Sequence, residues 1–179
     1  MNRDHYRDYK ELNLVQYNVN KSRSKVMIAL FQEPAIQDID ILAIQEPWRN
    51  PYNHQGYNSQ DTFYLCETIA RDTRVAIYIN KAIPQGQWSE VFKHRDLVTI
   101  MLRLGARKIY IHNIYLPPQP HTSHNIPETL GTLKSLLEYT GEHIVLGDLN
   151  LHHPTWNAAS YQRSHKLSDH LIDLMIAKA

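Results

Sequence analysis

The stretch Ile144-Val145-Leu146-Gly147-Asp148-Leu149-Asn150-Leu151-His152-His153-Pro154-Thr155-Trp156 decides how this chain is read. Its opening residues are apolar and read as a strand buried on both faces. The run stops at a glycine, and a carboxylate, a carboxamide and two imidazoles follow. Packing explains an acid at a strand exit poorly, and in open sheets that exit is where ligands tend to bind. A turn also accounts for it, with Asp148 or Asn150 capping nearby backbone. Both readings stand on this stretch alone.

Working outward, Pro127 opens a helix with Leu130, Leu133, Leu136 and Leu137 on one face, closed near Gly141. A last helix starts near Ser164 and carries Leu167, Leu171, Leu174 and Met175 on one face. Residues 97–102 and 108–115 flank Gly105 as a hairpin. Residues 63–66 and 74–79 read as two more strands. Toward the N-terminus, residues 12–19 alternate as a strand ending near Asn18. Ser22 or Ser24 caps a helix through Val26, Met27, Leu30 and Phe31, and Pro34 stops it. Residues 39–46 form a second buried strand ending in Glu46, with Pro47 as its breaker. Residues 49–59 form a polar loop, and residues 1–10 are polar and loose. This order fits neither a βαβ alternation nor a β sandwich; it points to a layered α/β protein with mixed sheets.

A chain of 179 residues reads as one domain able to bury a real core. Nothing in it approaches a membrane span, and its N-terminus lacks the apolar core of a secretion signal. The single cysteine, Cys66, sits in an apolar strand, where packing is its role, and it fits a reducing compartment. Net charge is +1, from 19 Lys and Arg against 18 Asp and Glu, so charge neither demands nor excludes a nucleic-acid partner.

The strand ends share one property: Asn18, Glu46, Tyr115, and Asp148 with Asn150 each stand where a buried run stops. Together they describe a polar floor at one sheet edge. Two acids plus amides suit a hard cation such as Mg²⁺, which takes oxygen ligands and keeps several waters. A metal on one carboxylate can polarise a phosphate while a second carboxylate takes a proton from water. His152 and His153 are adjacent on an extended segment, point opposite ways and lack further ligand pairs, so they are not read as a zinc site.

Five motifs run in series: Val15-Gln16-Tyr17-Asn18-Val19-Asn20, Ile44-Gln45-Glu46-Pro47-Trp48, Arg74-Val75-Ala76-Ile77-Tyr78, Asn113-Ile114-Tyr115-Leu116-Pro117-Pro118, and Gly147-Asp148-Leu149-Asn150 with His152-His153-Pro154-Thr155-Trp156. In order and approximate spacing they resemble the endonuclease/exonuclease/phosphatase superfamily, and most of all the N-terminal endonuclease domain of fungal non-LTR retrotransposon polyproteins. The resemblance implies a four-layer α/β sandwich with mixed sheets and metal-dependent hydrolysis of phosphodiesters. It implies that Glu46 binds Mg²⁺ (or Mn²⁺) with Asn18 beside it, that Asp148 activates water, and that Asn150 helps hold the phosphate or the metal. Tyr115 would touch the scissile phosphate, and Arg74 would face the DNA backbone or remain a surface cation. The implied partners are double-stranded DNA and a reverse-transcriptase domain, and the implied place of action is the nucleus, otherwise the cytoplasm, without secretion. In such elements a nick frees a 3′-hydroxyl that primes reverse transcription. Other hydrolases of the superfamily, acting on abasic sites or phosphomonoesters, and a catalytically dead retroelement remnant are the alternatives.

The resemblance also implies an Asp motif and a Ser-Asp-His motif after additional strands. Ser168-Asp169-His170 matches in letters but lies in the final helical pattern, so it is not read as that motif. Residues 1–179 are therefore expected to form this domain without its C-terminal strands and motifs, with the second sheet incomplete. Loss of a group acting on the transition state would lower the rate by about 10²–10³.

Overall fold

The computed structural model describes residues 11–58, 61–118, 125–157 and 166–176. The expectation for residues 1–10 and the start of the last helix near Ser164 lie outside them. The chain divides into two compact units, Met1–Tyr115 with Thr140–Gly147, and Leu116–Tyr139 with Asp148–Ala179.

Two four-stranded sheets build the fold. The first has the order β1 (Leu14–Asn18), β2 (Ile41–Gln45), β4 (Val75–Asn80) and β3 (Phe63–Cys66). β1 and β2 run parallel, while β4 is antiparallel to both β2 and β3. The second has the order β5 (Trp88–His94), β6 (Leu97–Leu104), β7 (Arg107–Tyr115) and β8 (Glu142–Asp148). β5, β6 and β7 form an antiparallel meander. Gly141 approaches Lys108 and Gly147 approaches Ile114, the same order along both strands, so β8 lies parallel to β7. The fold class is thus α/β with two mixed sheets.

Inside the first unit the sheets face one another. Ile77 and Ile79 from β4 share one cluster with Ile100 from β6 and Ile111 from β7. The other face of the first sheet is covered by α1 (Ser24–Gln32) and α2 (Pro34–Gln37), which bury Met27, Phe31 and Ile36 against Leu42, Ile44 and Tyr78. Cys66 is fully buried, and burial pushes its thiol up, as a packing role requires. One buried polar joint ties the sheets. Asn113 on β7 donates through Nδ2 to the carbonyls of Ile44 and Ala76, each at 2.9 Å, and accepts from Gln45 at 2.6 Å.

The second unit contains α3 (Glu128–Leu136) and α4 (Lys166–Ile176). Pro127 takes the N-cap position of α3, and Leu130, Leu133 and Leu136 are buried. Ser168-Asp169-His170 lies within α4, as its spacing indicates.

Four details differ from the sequence reading. Strand β5 went unread, because only Trp88, Val91 and Phe92 of its seven residues turn inward, around a bulge. Arg23, and neither Ser22 nor Ser24, occupies the N-cap of α1, without a side-chain cap. Pro34 ends α1 but also begins α2, where its missing N–H does no harm. Strand β8 is half-buried instead of buried on both faces, because it stands at a sheet edge.

Candidate functional site

Parallel pairing of β1 and β2 aligns Asn18 with Gln45, so both strands release their chains at one end of the first sheet. The exits then coil into left-handed backbone: φ is +49° at Asn20, +51° at Lys21 and +48° at Glu46. Glu46 is doubly constrained, because a residue before proline avoids helical backbone and a non-glycine residue avoids the left-handed region. Three hydrogen bonds hold it there. Glu46 N donates to Arg74 O at 2.7 Å, Lys21 N donates to Glu46 O at 2.8 Å, and Val19 N donates to Gln45 O at 3.0 Å. Strain sustained by surrounding structure is a property of functional sites.

The Glu46 residue is only 9% exposed. The Tyr115 hydroxyl donates to its Oε1 at 3.3 Å, and Lys21 Nζ stands 3.4 Å from the same oxygen. Arg74, immediately before β4, places its guanidinium 4.9 Å from the centroid of the Tyr115 ring. That guanidinium is clamped by Asp96 through Nε at 2.5 Å and Nη2 at 2.6 Å, and Asp96 O accepts from Tyr115 N at 2.9 Å. Glu46, Tyr115 and Arg74, which the sequence nominated separately, therefore meet in the first unit. Asn18 stays at the neighbouring exit, where its Oδ1 accepts from Asn20 N at 2.8 Å. That contact caps the turn.

Asp96 and Lys21 were not foreseen. Asp96 follows Arg95 in a polar turn and carries no local signal. Lys21 opens the short basic stretch Lys21-Ser22-Arg23-Ser24-Lys25, which in sequence is more often a helix start with solvated charges than a phosphate site. Gln16 was missed as well. Its side-chain amide bonds both Gly147 O at 2.9 Å and Gly147 N at 3.0 Å, fixing the residue before Asp148.

In the second unit, Asp148 Oδ1 accepts from Asn150 N at 3.2 Å, and Asn150 adopts φ +45°. Asn150 Nδ2 donates to Leu116 O at 2.9 Å, and Leu116 N donates to Asp148 O at 2.9 Å. The turn anticipated as the plainer reading is therefore present, and it places the acid and the amide on one hydrogen-bonded loop. Beyond them, His153 stands 3.3 Å from Asp169, and Ser168 Oγ donates to His152 O at 3.0 Å. Ser168 and Asp169 thus tie α4 to the loop.

Among the described residues no group of three or more His, Cys, Asp or Glu could hold a metal. A single shielded carboxylate suits Mg²⁺, which binds through one or two carboxylates and keeps its waters.

Residues 109–178 match the family model described as endonuclease-reverse transcriptase. A comparison with solved structures finds the endonuclease domain of TRAS1, a telomere-specific non-LTR retrotransposon, at 19% identity with a TM-score of 0.65, covering 91% of this chain and 72% of that one. The chain shares the fold of that endonuclease domain. A humanized D. rerio TDP2 carrying 14 mutations is similar at 14% identity and TM-score 0.58, over 80% of this chain and 64% of that one. D. rerio TDP2 complexed with a single-strand DNA product gives 14% and 0.55, over 80% and 62%. The chain thus spans less than two thirds of either TDP2 chain. A search of curated proteins returned no match. The C-terminal family match takes in Tyr115, Asp148 and Asn150, while Glu46 and Asn18 lie outside it.

Proposed function

We propose that the chain is a Mg²⁺-dependent DNA endonuclease, nicking double-stranded target DNA so that the freed 3′-hydroxyl primes reverse transcription. The observation that carries this reading is Glu46: a shielded carboxylate, held at +48° before a proline, with the Tyr115 hydroxyl on one oxygen. Strained backbone that presents a buried acid at a strand exit is hard to explain by packing.

In this reading Glu46 holds the cation, with Asn18 beside it. Bound Mg²⁺ would supply Lewis-acid polarisation of the phosphate. Asp148 takes the proton from the attacking water, and its turn with Asn150 keeps the carboxylate oriented. Asn150 steadies a phosphate oxygen. Tyr115 orients Glu46 in the free protein and offers its hydroxyl to the phosphate in the complex. Arg74 is held by Asp96 and serves to fix the Tyr115 ring, with its charge directed at the same place. The reading also carries action in the nucleus and a reverse-transcriptase domain as partner.

The experiment is relaxation of supercoiled plasmid with and without Mg²⁺, with Mn²⁺ in a parallel arm. Wild type should convert plasmid to the open circle only with metal, and Asp148→Asn and Glu46→Gln should each lower the rate by about 10²-fold or more. Equal rates for wild type and both variants would end this reading. Faster cleavage of abasic duplexes or release of phosphate from small esters would move it to another hydrolase of the superfamily.

A further inference from the structure

We propose that the cleft next to Glu46 seats the sugar-phosphate backbone of a DNA duplex, and that Lys21, Arg71 and Arg95 are its phosphate contacts. The proposal rests on the nuclease reading for the identity of the polyanion.

The cleft has a volume of about 1080 Å³ and lies within the first unit. One wall is the segment after Glu46, from Pro47 to Pro51 with His54; the other runs from Arg71 to Arg74 with Arg95. Lys21 also lines it, with its Nζ 3.4 Å from Glu46 Oε1. Five Lys and Arg side chains line this concavity against one acid, Asp72, in a protein whose net charge is only +1. Concavities of one sign concentrate counter-ions of the other.

The five cations divide by what already holds them. Arg74 is clamped by Asp96 through two strong hydrogen bonds. Arg49 is 9% exposed and ion-paired with Glu67. The remaining three present their charges outward. The Lys21 side chain is 70% exposed. Arg95 is 48% exposed; it bonds Asp72, itself 61% exposed, at 2.6 Å, and its Nε stands 3.3 Å from the buried Asp96. The exposed pair with Asp72 is worth about 0–1 kcal/mol and yields to phosphate, while Asp96, already shared with Arg74, keeps the Arg95 stem in place. Arg71 is exposed and has no ion pair among the described residues.

A second observation concerns Arg49. Its Nε and Nη2 are shielded from water and lack a hydrogen-bond partner among the described residues. Arg49 is thus a wall residue held by Glu67 and adds positive charge to the cleft without touching a phosphate. Trp48 adds a flat apolar wall against which a sugar can rest. Phosphate contacts fix position and register without reading sequence. They suit a cleft that opens beside the proposed metal carboxylate.

The test measures binding of a fluorescein-labelled 30-base-pair duplex as a function of salt, on a Glu46→Gln background so that the probe stays uncut. Arg71→Ala with Arg95→Ala should lower the slope of log affinity against log salt by about 2, close to 0.9 for each phosphate left without its cation. Lys21→Ala should remove about one more. Arg103→Ala, at the far end of β6 and roughly 20 Å away along the strand, should match its parent. Arg71→Lys with Arg95→Lys should restore the slope, which excludes misfolding as the cause. An unchanged slope and affinity in the alanine double variant overturns the proposal. Plasmid nicking by wild type is scored separately. Nicking with an unchanged slope rejects the cleft and keeps the nuclease; a lowered slope without nicking keeps the cleft and rejects the nuclease.

Discussion

The Tyr115 hydroxyl donates to Glu46 Oε1 at 3.3 Å, joining the end of β7 in the second sheet to the exit of β2 in the first. The bond is long for an O–H donor and sits on a carboxylate that Lys21 also approaches. Tyr115 therefore restrains the orientation of Glu46 more than it stabilises its charge. Tyr115→Phe keeps the ring beneath Arg74 and loses only the hydroxyl. In plasmid nicking it should cost about tenfold, well short of the effect of Glu46→Gln. Equal losses in the two variants would overturn this division and show the hydroxyl and the carboxylate acting as one unit.

The backbone at Glu46 supplies a test that is independent of activity. Left-handed φ costs a non-glycine residue roughly 1–2 kcal/mol, and glycine nothing comparable. Glu46→Ala and Glu46→Gly lose the same carboxylate. In ordinary extended structure the alanine variant is the more stable. Here the order should reverse, with the glycine variant ahead by about 1 kcal/mol in urea denaturation. Alanine ahead of glycine would mean that the chain relaxes out of the left-handed region.

Gly147 has φ +150°, and a Cβ there would collide with the carbonyl oxygen of Ile114 on the neighbouring strand. The collision is with backbone, so no side chain can rotate away. Gly147→Ala should lower stability by roughly 3 kcal/mol or displace the β8 end, with nicking lost in either case. Gln16→Ala removes the two-point clamp on the same peptide without a collision. Its partners are exposed and water can replace it, so stability should fall by about 1 kcal/mol or less. A Gly147→Ala protein as stable and active as wild type would contradict the close approach.

Much of this was readable because the informative residues are local. Buried runs that stop at polar residues located β1, β2, β7 and β8, and the pairing of Asn18 with Gln45 brought the first two exits together. The joins between sheets were not readable. Asp96 finds Arg74 across 22 positions and Asn113 finds Ile44 across 69, distances over which no periodicity speaks. Strand β5 was missed because an edge strand with one bulge has no clean alternation. The positive φ of Glu46 was hidden too, since its following proline argues for extended backbone; tertiary hydrogen bonds override that preference.

Asn113 is the buried joint between the sheets, and its amide serves three partners at once. Asn113→Ala would strip a donor from the carbonyls of Ile44 and Ala76 and an acceptor from Gln45. Each of those groups is shielded, and a buried polar group left unpaired costs about 1–3 kcal/mol. The two carbonyls retain their ladder partners in the β2–β4 pairing, so the loss falls mainly on Gln45. A destabilisation of about 2–4 kcal/mol is expected in chemical denaturation. Asn113→Asp tests the donor alone: it keeps the acceptor for Gln45 but faces two carbonyl oxygens with a carboxylate, and should be worse than alanine.

His112 gives the protein a pH dependence with a definite sign. The ring is fully buried in β7, with Nδ1 3.0 Å from Thr99 Oγ1 and Nε2 3.0 Å from Nδ1 of His143, which stacks between it and Tyr110. A neutral imidazole satisfies both contacts by accepting at one nitrogen and donating at the other. Burial first, and the neighbouring His143 second, push its pKa down to about 3. In the unfolded chain it returns to near 6.5. Between those values the unfolded chain binds a proton that the folded one refuses. Stability from this group is therefore fully present above about pH 6.5 and is lost as pH falls toward 3, at up to about 1.4 kcal/mol per unit. Urea midpoints measured from pH 7.5 to 4.5 should show this decline in wild type. His112→Gln keeps a polar group in the same place and removes the titration. Its curve should lie lower at neutral pH and fall less steeply in acid, and parallel curves for the two proteins would assign the acid sensitivity to other groups.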